Sequence, residues 1–218
     1  MVPMKRNRII SLTTGVLAVA ALAALVLYVA LPRPSPNPLP PELNNILLPE
    51  ARELSPFTLT DMDNRPFDLK RLHGKWSFVF FGYTHCPDIC PTTLSTLKGA
   101  ARHLEQAEGE QADTQFVFIS VDPKRDSLAH LKQYITYFHP DFVGATGDKE
   151  QIDNLARQLG AIYMFDGDTA SDDYIVNHSA AVVLIDPQGR WVGRFNPPHR
   201  AAVIADDFRR VRDYFINN

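Results

Sequence analysis

An α/β fold, with a mixed central sheet and helices on both faces, is predicted by three features of this 218-residue sequence. Residues 75–82 and 114–121 are nearly continuous apolar and aromatic runs, the pattern of strands covered on both sides. Each is followed by a stretch of helical character; after the first, Leu94, Leu97, Ala101 and Leu104 recur at helical spacing. The last third carries two alternating runs and a terminal helix, so parallel strand–helix–strand units meet an antiparallel hairpin.

The elements follow in order. Residues 57–69 read as two short strands around a turn at Asp63-Asn64. The strand at 75–82 leads into a helix from about Pro91 to Glu105, with Pro91 in the first turn, where its missing N–H costs nothing. After the strand at 114–121, Asp126 is the expected N-cap of a helix running to Phe138. A short strand at 142–145, a helix at 149–159 and an extended segment at 162–165 come next. Residues 166–173 form an acidic loop, expected to be solvated. Runs at 180–185 and 191–195 make a hairpin over Pro187-Gln188-Gly189, and a helix spans 201–215.

Ahead of this domain, residues 9–31 carry no charge and are dominated by Leu, Val and Ala. At about 1.5 Å per helical residue such a run exceeds the roughly 30 Å of a bilayer core. Lys5, Arg6 and Arg8 precede it, so the positive-inside rule keeps residues 1–8 in the cytoplasm and carries the rest across. A cleaved signal peptide ending near Ala18–Ala20 is the rival reading, but the apolar run is longer than a signal h-region. Residues 32–53 begin with alternating prolines, which favour an extended, semi-rigid spacer. The expected plan is a cytoplasmic tail at 1–8, a single-pass anchor at 9–31, a Pro-rich linker at 32–53 and an exported domain at 54–218. In a bacterium that places the domain in the periplasm, held at the inner membrane. The three basic residues of the tail are the only charges before Pro32, so the exported part is more acidic than the whole chain's net charge of −3. That argues against a nucleic-acid partner.

Cys86 and Cys90 are the only cysteines. A lone pair in an exported protein is ordinarily a structural disulfide, but a loop this short would constrain little unfolded-chain entropy. The spacing therefore favours chemistry. Both thiols fall where a buried strand gives way to a helix, and a helix N-terminus favours thiolate, the nucleophile and the soft metal ligand. Four-residue spacing can bring two side chains onto one helical face. Two sulfurs suit copper(I), and an added imidazole suits either copper oxidation state. Two candidate histidines could complete such a set: His85, whose adjacency to Cys86 tends to point it elsewhere, and His178, just before an apolar strand. His73, His103, His130, His139 and His199 stand in surface-like contexts and receive no role.

The run Gly82-Tyr83-Thr84-His85-Cys86-Pro87-Asp88-Ile89-Cys90-Pro91 resembles the signature of the Sco/SenC family of copper proteins. Ser120 to Asp126 and Asp173 to Ser179 are similar to further family motifs, and the likeness extends from about Leu54 to the terminal helix. It implies a thioredoxin-like fold, with copper held by Cys86, Cys90 and His178 and the cysteine pair able to form a redox disulfide. It also implies delivery of copper to the dinuclear copper centre of cytochrome c oxidase, whose copper-accepting subunit is the expected partner. Asn177 stands where many relatives carry aspartate. On this reading the protein is a metallochaperone and not an enzyme. A thiol–disulfide reductase acting on the acceptor's cysteines is the alternative, although such enzymes have Cys-x-x-Cys and usually a proline where this chain has Asn177-His178-Ser179. A thiol peroxidase is the third, and lacks an activating arginine in the Cys86 segment.

Overall fold

Strand β4 (Trp76–Gly82) is buried along its whole length, because it occupies the middle of an eight-stranded sheet. In this computed structural model, which describes residues 39–106, 113–171 and 173–217 with Leu22 alone ahead of them, β4 pairs in parallel with β5 (Thr114–Ser120) and antiparallel with β9 (Val182–Ile185). On one side β5 is followed by β6 (Val143–Thr146), then β2 (Leu59–Asp61) and β3 (Pro66–Phe67). On the other, β9 is followed by β10 (Trp191–Phe195) and β1 (Leu47–Arg52). The mixed sheet expected from the sequence is therefore present, built from two parallel and five antiparallel pairings.

The short helix α1 (Leu69–Leu72) is capped by Asp68, whose side chain accepts from the Lys70 amide at 3.0 Å. Helix α2 (Ile89–Glu105) joins β4 to β5, and α3 (Leu128–Phe138) joins β5 to β6. Right-handed crossovers in one direction put both on the same face. The terminal helix α5 (Ala201–Ile216) packs beside α2 there, at the close approach of Gly99 to Ala201. The opposite face is reached from α4 (Lys149–Gln158): Gly160, just beyond it, lies against the ring of Trp191. Trp191 pairs with Ile185 and Ile185 with Ser77, a row that alternates with Phe78 and so faces the other way.

Phe78 anchors the core under α5. Its ring stacks on Phe116 at 4.7 Å and Phe195 at 5.6 Å and meets Phe208 of α5 edge-on at 4.9 Å. Two hairpins are tied by buried carboxylates. Asp61 accepts from the Asp63 and Arg65 amides and pairs with Arg71, while Asp186 holds the Gln188 and Arg190 amides and the Arg190 side chain under the turn at Pro187–Gly189. Asn64 takes a left-handed φ of 61° in the first of these turns, a conformation asparagine tolerates.

Three expectations change. The folded unit begins at Leu39, and β1, inside the stretch read as linker at 32–53, pairs with β10; its alternation is too weak to read because four of its six residues are exposed. Asp126 does not cap α3. Ser127 does, accepting from the His130 amide, while Asp126 is fully buried. His139 and His199 are not surface residues: the His139 side chain is 12% exposed beside Glu105, and half-buried His199 bonds the Ala180 carbonyl at 2.7 Å. The tail at 1–8, the span at 9–31 save for Leu22, and residues 32–38 lie outside the described residues. Among the described residues no helix is long and apolar enough to cross a membrane.

Replacing Phe78 with alanine removes three ring contacts from a site that cannot collapse around backbone on both sides. Phe78→Ala is expected to cost about 3–5 kcal/mol, read as a lowered midpoint of urea unfolding. Tyr137→Ala, at an 81% exposed side chain, should stay within about 0.5 kcal/mol.

Candidate metal centre

The site forms where β4 ends. Gly82 closes the strand, and a Cβ there would stand 2.6 Å from the Cys90 sulfur and 2.7 Å from the Phe118 ring, so the bare backbone lets Cys90 press against the sheet. A turn over Thr84 and His85 follows, and α2 starts at Ile89, two residues earlier than expected. Cys90 thus lies in the first helical turn. Cys86 is not on the helix: it precedes it, and its sulfur accepts from the Cys90 amide at 3.4 Å. The two sulfurs share a helix N-terminus, one inside it and one capping it.

His178 arrives from a separate two-stranded sheet, β7 (Tyr163–Asp166) with β8 (Ile175–His178). Val176 is buried while Met164, Asp166, Ile175 and Asn177 are exposed, so His178, two residues from Val176, faces inward. Its ring packs edge-on against Phe80 and Tyr83. Nδ1 lies 3.1 Å from the Ser179 carbonyl and Nε2 3.1 Å from the Cys90 sulfur. A carbonyl can only accept, so Nδ1 carries the proton and Nε2 turns its lone pair toward the sulfurs. Cys86, Cys90 and His178 place one donor atom each within 4.8 Å of one another, a three-ligand grouping that could hold a metal ion. Asn177 lies on the outer face of the hairpin, which explains why the ligand geometry does not depend on a carboxylate at that position.

Both cysteines are free thiols, and they are unequal. The hydrogen bond from Cys90 pulls the Cys86 pKa down to about 4 against the opposing effect of burial, with help from the Asp88 and Cys90 amides. Cys90 moves the other way, raised first by its bond to Cys86 and then by burial. At neutral pH the pair is one thiolate and one thiol, with the proton on Cys90.

The motif at 120–126, whose Asp126 the sequence assigned to a cap, proves to be the frame of this site. The Asp126 carboxylate accepts from the Thr84 amide at 3.0 Å, the Thr84 hydroxyl at 2.6 Å and the Ser120 hydroxyl at 2.5 Å. Asp122, also buried, accepts from Arg125 and from the Tyr174 hydroxyl at 2.7 Å. Arg125 lies flat over the Tyr174 ring at 3.5 Å and donates to the Tyr174 carbonyl, which fixes the start of β8. Lys124 holds the Thr169 and Ser171 carbonyls of the acidic loop, so part of that loop is tied down. Tyr134, unnoticed in the sequence, brings a buried hydroxyl near the sulfurs; its pKa is raised by burial, then by Cys90 and Cys86. An apolar-spaced tyrosine on a helix offers no signal of this. His85 turns from Cys86 toward Thr84 and Asp126.

Residues 47–213 match the family model described as SCO1/SenC. A protein of Stutzerimonas stutzeri is 36% identical over 202 residues, covering 93% of this chain and 94% of its own. The mitochondrial SCO1 homolog 1 of Arabidopsis thaliana is 37% identical over 160 residues, 73% of this chain, and the aligned part is 47% of that longer protein. Among solved structures, copper-bound ScoI of Arabidopsis thaliana superposes with a TM-score of 0.65 at 36% identity, over 72% of this chain and 98% of that one. Copper-bound yeast Sco1 gives 0.67 at 34% identity, over 73% and 87%. With the family model spanning nearly the whole folded unit, from β1 into α5, the chain belongs to the SCO1/SenC family.

Proposed function

We propose that this protein is a copper metallochaperone that holds copper between Cys86, Cys90 and His178 and delivers it to the dinuclear copper centre of cytochrome c oxidase. The observation that carries the reading is the convergence of two sulfurs from the start of α2 and an imidazole nitrogen from the end of β8, all within 4.8 Å of one another. Soft thiolates with one imidazole form a set suited to both copper(I) and copper(II). The copper-bound relatives of similar fold support the choice of metal. The protein acts here by binding and transfer, without enzymatic turnover, anchored to the bacterial inner membrane by residues 9–31 with its domain in the periplasm. There it would meet the copper-accepting subunit of the oxidase.

The site's asymmetry gives loading an order. Cys86 is already a thiolate and takes the metal first; Cys90 must release its proton, and Nε2 of His178, at 3.1 Å, is placed to accept it or to bind the metal once it has gone. His178 then fixes the third position. A disulfide between Cys86 and Cys90 would withdraw both sulfurs from the metal, so the copper-binding form is the reduced one. The second reading, a thiol–disulfide reductase, is favoured by the same low Cys86 pKa, which marks a nucleophilic thiolate.

Two measurements check this. The reduced wild type should take up copper(II) with a visible thiolate-to-copper charge-transfer band. His178→Ala should lose or shift that band and weaken copper(II) binding by about tenfold or more, with copper(I) less affected because two thiolates still hold it. An unchanged spectrum and affinity would remove His178 from the site, and a fully reduced wild type that binds no copper would leave the reductase.

Thiol reactivity follows from the lowered Cys86 pKa, a group ionised well below neutrality. Its alkylation by iodoacetamide should stay nearly flat from about pH 8 to about pH 6, where an ordinary thiol slows about tenfold per unit below its pKa of about 8.5. Mass spectrometry of the modified peptide reads the site, and Cys90 should remain unlabelled over the same range.

A further inference from the structure

Beside the sulfur site, two histidines from different elements lie close together: His85 in the turn before α2 and His130 in the first turn of α3, ring centroids 5.4 Å apart and planes inclined by 34°. Both are exposed. We infer that His85 and His130 form a second, surface copper site, a two-imidazole port at the rim of the Cys86–Cys90–His178 centre. This rests on reading the protein as a copper carrier and adds a place where the ion is first taken up.

The hydrogen bonds around His85 make the case. The single O–H of Thr84 is committed to Asp126 Oδ1 at 2.6 Å. Toward His85 Nδ1, 3.1 Å away, the Thr84 oxygen can therefore only accept, so Nδ1 carries the proton. Nε2 is left with its lone pair. The relay Asp126–Thr84–His85 is the outer shell that metal-binding histidines commonly have, in which a carboxylate behind the ring fixes the tautomer. Oδ1 of Asp126 itself lies 3.5 Å from Nδ1. At the sulfur site, His178 is prepared in the same way, its Nδ1 bonded back to Ser179.

The same carboxylate sets His130. Asp126 directly precedes Ser127, the cap of α3, and Ser127 accepts from the His130 amide. One clamp thus holds both histidine backbones in register across the 45 residues that separate them. Two imidazole nitrogens on one ion, each at about 2.0 Å, lie at most about 4 Å apart. With His85 held by Thr84, rotation of the exposed His130 side chain brings rings whose centroids are 5.4 Å apart within that reach. Imidazole takes copper in either oxidation state, while thiolate is the softer ligand. An ion caught here has its stronger ligand, Cys86, on the next residue.

The test separates this site from the sulfur centre. The full-length protein carrying Cys86→Ser, Cys90→Ser and His178→Ala is titrated with copper(II) against glycine as a weak competitor. One equivalent should still bind, with electron paramagnetic resonance showing coupling to imidazole nitrogens and no charge-transfer band. Adding His130→Ala or His85→Ala should weaken that binding by about tenfold or more, while His103→Ala, an exposed histidine elsewhere on α2, should change nothing. In the otherwise unchanged protein, which does not rely on the folding of the triple variant, His130→Ala should abolish uptake of a second copper(II) equivalent and leave the charge-transfer band intact. No second equivalent in the wild type, or binding indifferent to both His85 and His130, overturns the port. Loss of the sulfur-site band with the histidine site retained would instead count against the sulfur centre alone.

Discussion

The buried carboxylate of Asp126 is the constraint on which the site depends. A charge-bearing group with no solvent contact must be met by donors or its desolvation is uncompensated, and here three donors from two places in the chain converge on it. Thr84 belongs to the turn that leads to Cys86, and Ser120 to the end of β5. Neither can drift without leaving the carboxylate short of a partner. The turn holding the cysteines is therefore tied to the neighbouring strand by chemistry separate from that of the sulfurs, and so it need not rely on a bound ion to keep its shape.

Asp122 does the corresponding work on the other side. Through Arg125 and the Tyr174 hydroxyl it holds the base of the β7–β8 hairpin, whose last residue is His178. The seven residues 120–126, which follow on from β5, thereby fix the distance between a helix terminus and a hairpin that share no backbone pairing. Donor geometry of this kind is set before metal arrives, which lowers the reorganisation that binding would otherwise demand. Polar burial here serves placement: a purely apolar contact would pack the hairpin down without choosing its height along β4.

The division of protons between the sulfurs has the same origin. Cys86 sits at the mouth of the helix, where amides and the Cys90 thiol all point at it, and Cys90 sits beneath, against Gly82 and Phe118. Two anions that close in a half-buried pocket repel, so the first ionisation opposes the second. The position with the donors takes the charge, and the buried one keeps the proton. One cysteine ahead of the helix and one inside its first turn make two different thiols from one motif.

Much of this was legible in local sequence. The apolar runs at 75–82 and 114–121, the turns at Asp63-Asn64 and Pro187–Gly189 and the helices at 91–105 and 201–215 follow from periodicity and punctuation, because burial on one or both faces imposes its own spacing. The cysteine pair and its helix start were equally plain, and His178 was reachable through the family likeness. Local pattern could not reveal that β1 belongs to the sheet, since an edge strand exposed along most of its length carries no alternation. Nor could it show Asp126 leaving the cap to Ser127: both are good cap residues side by side, and only the arrival of Thr84 from 42 positions away settles which is buried. Which histidine faces the sulfurs, and which turns to meet His130, was likewise decided by tertiary structure, because ring direction depends on partners that the neighbouring sequence does not contain.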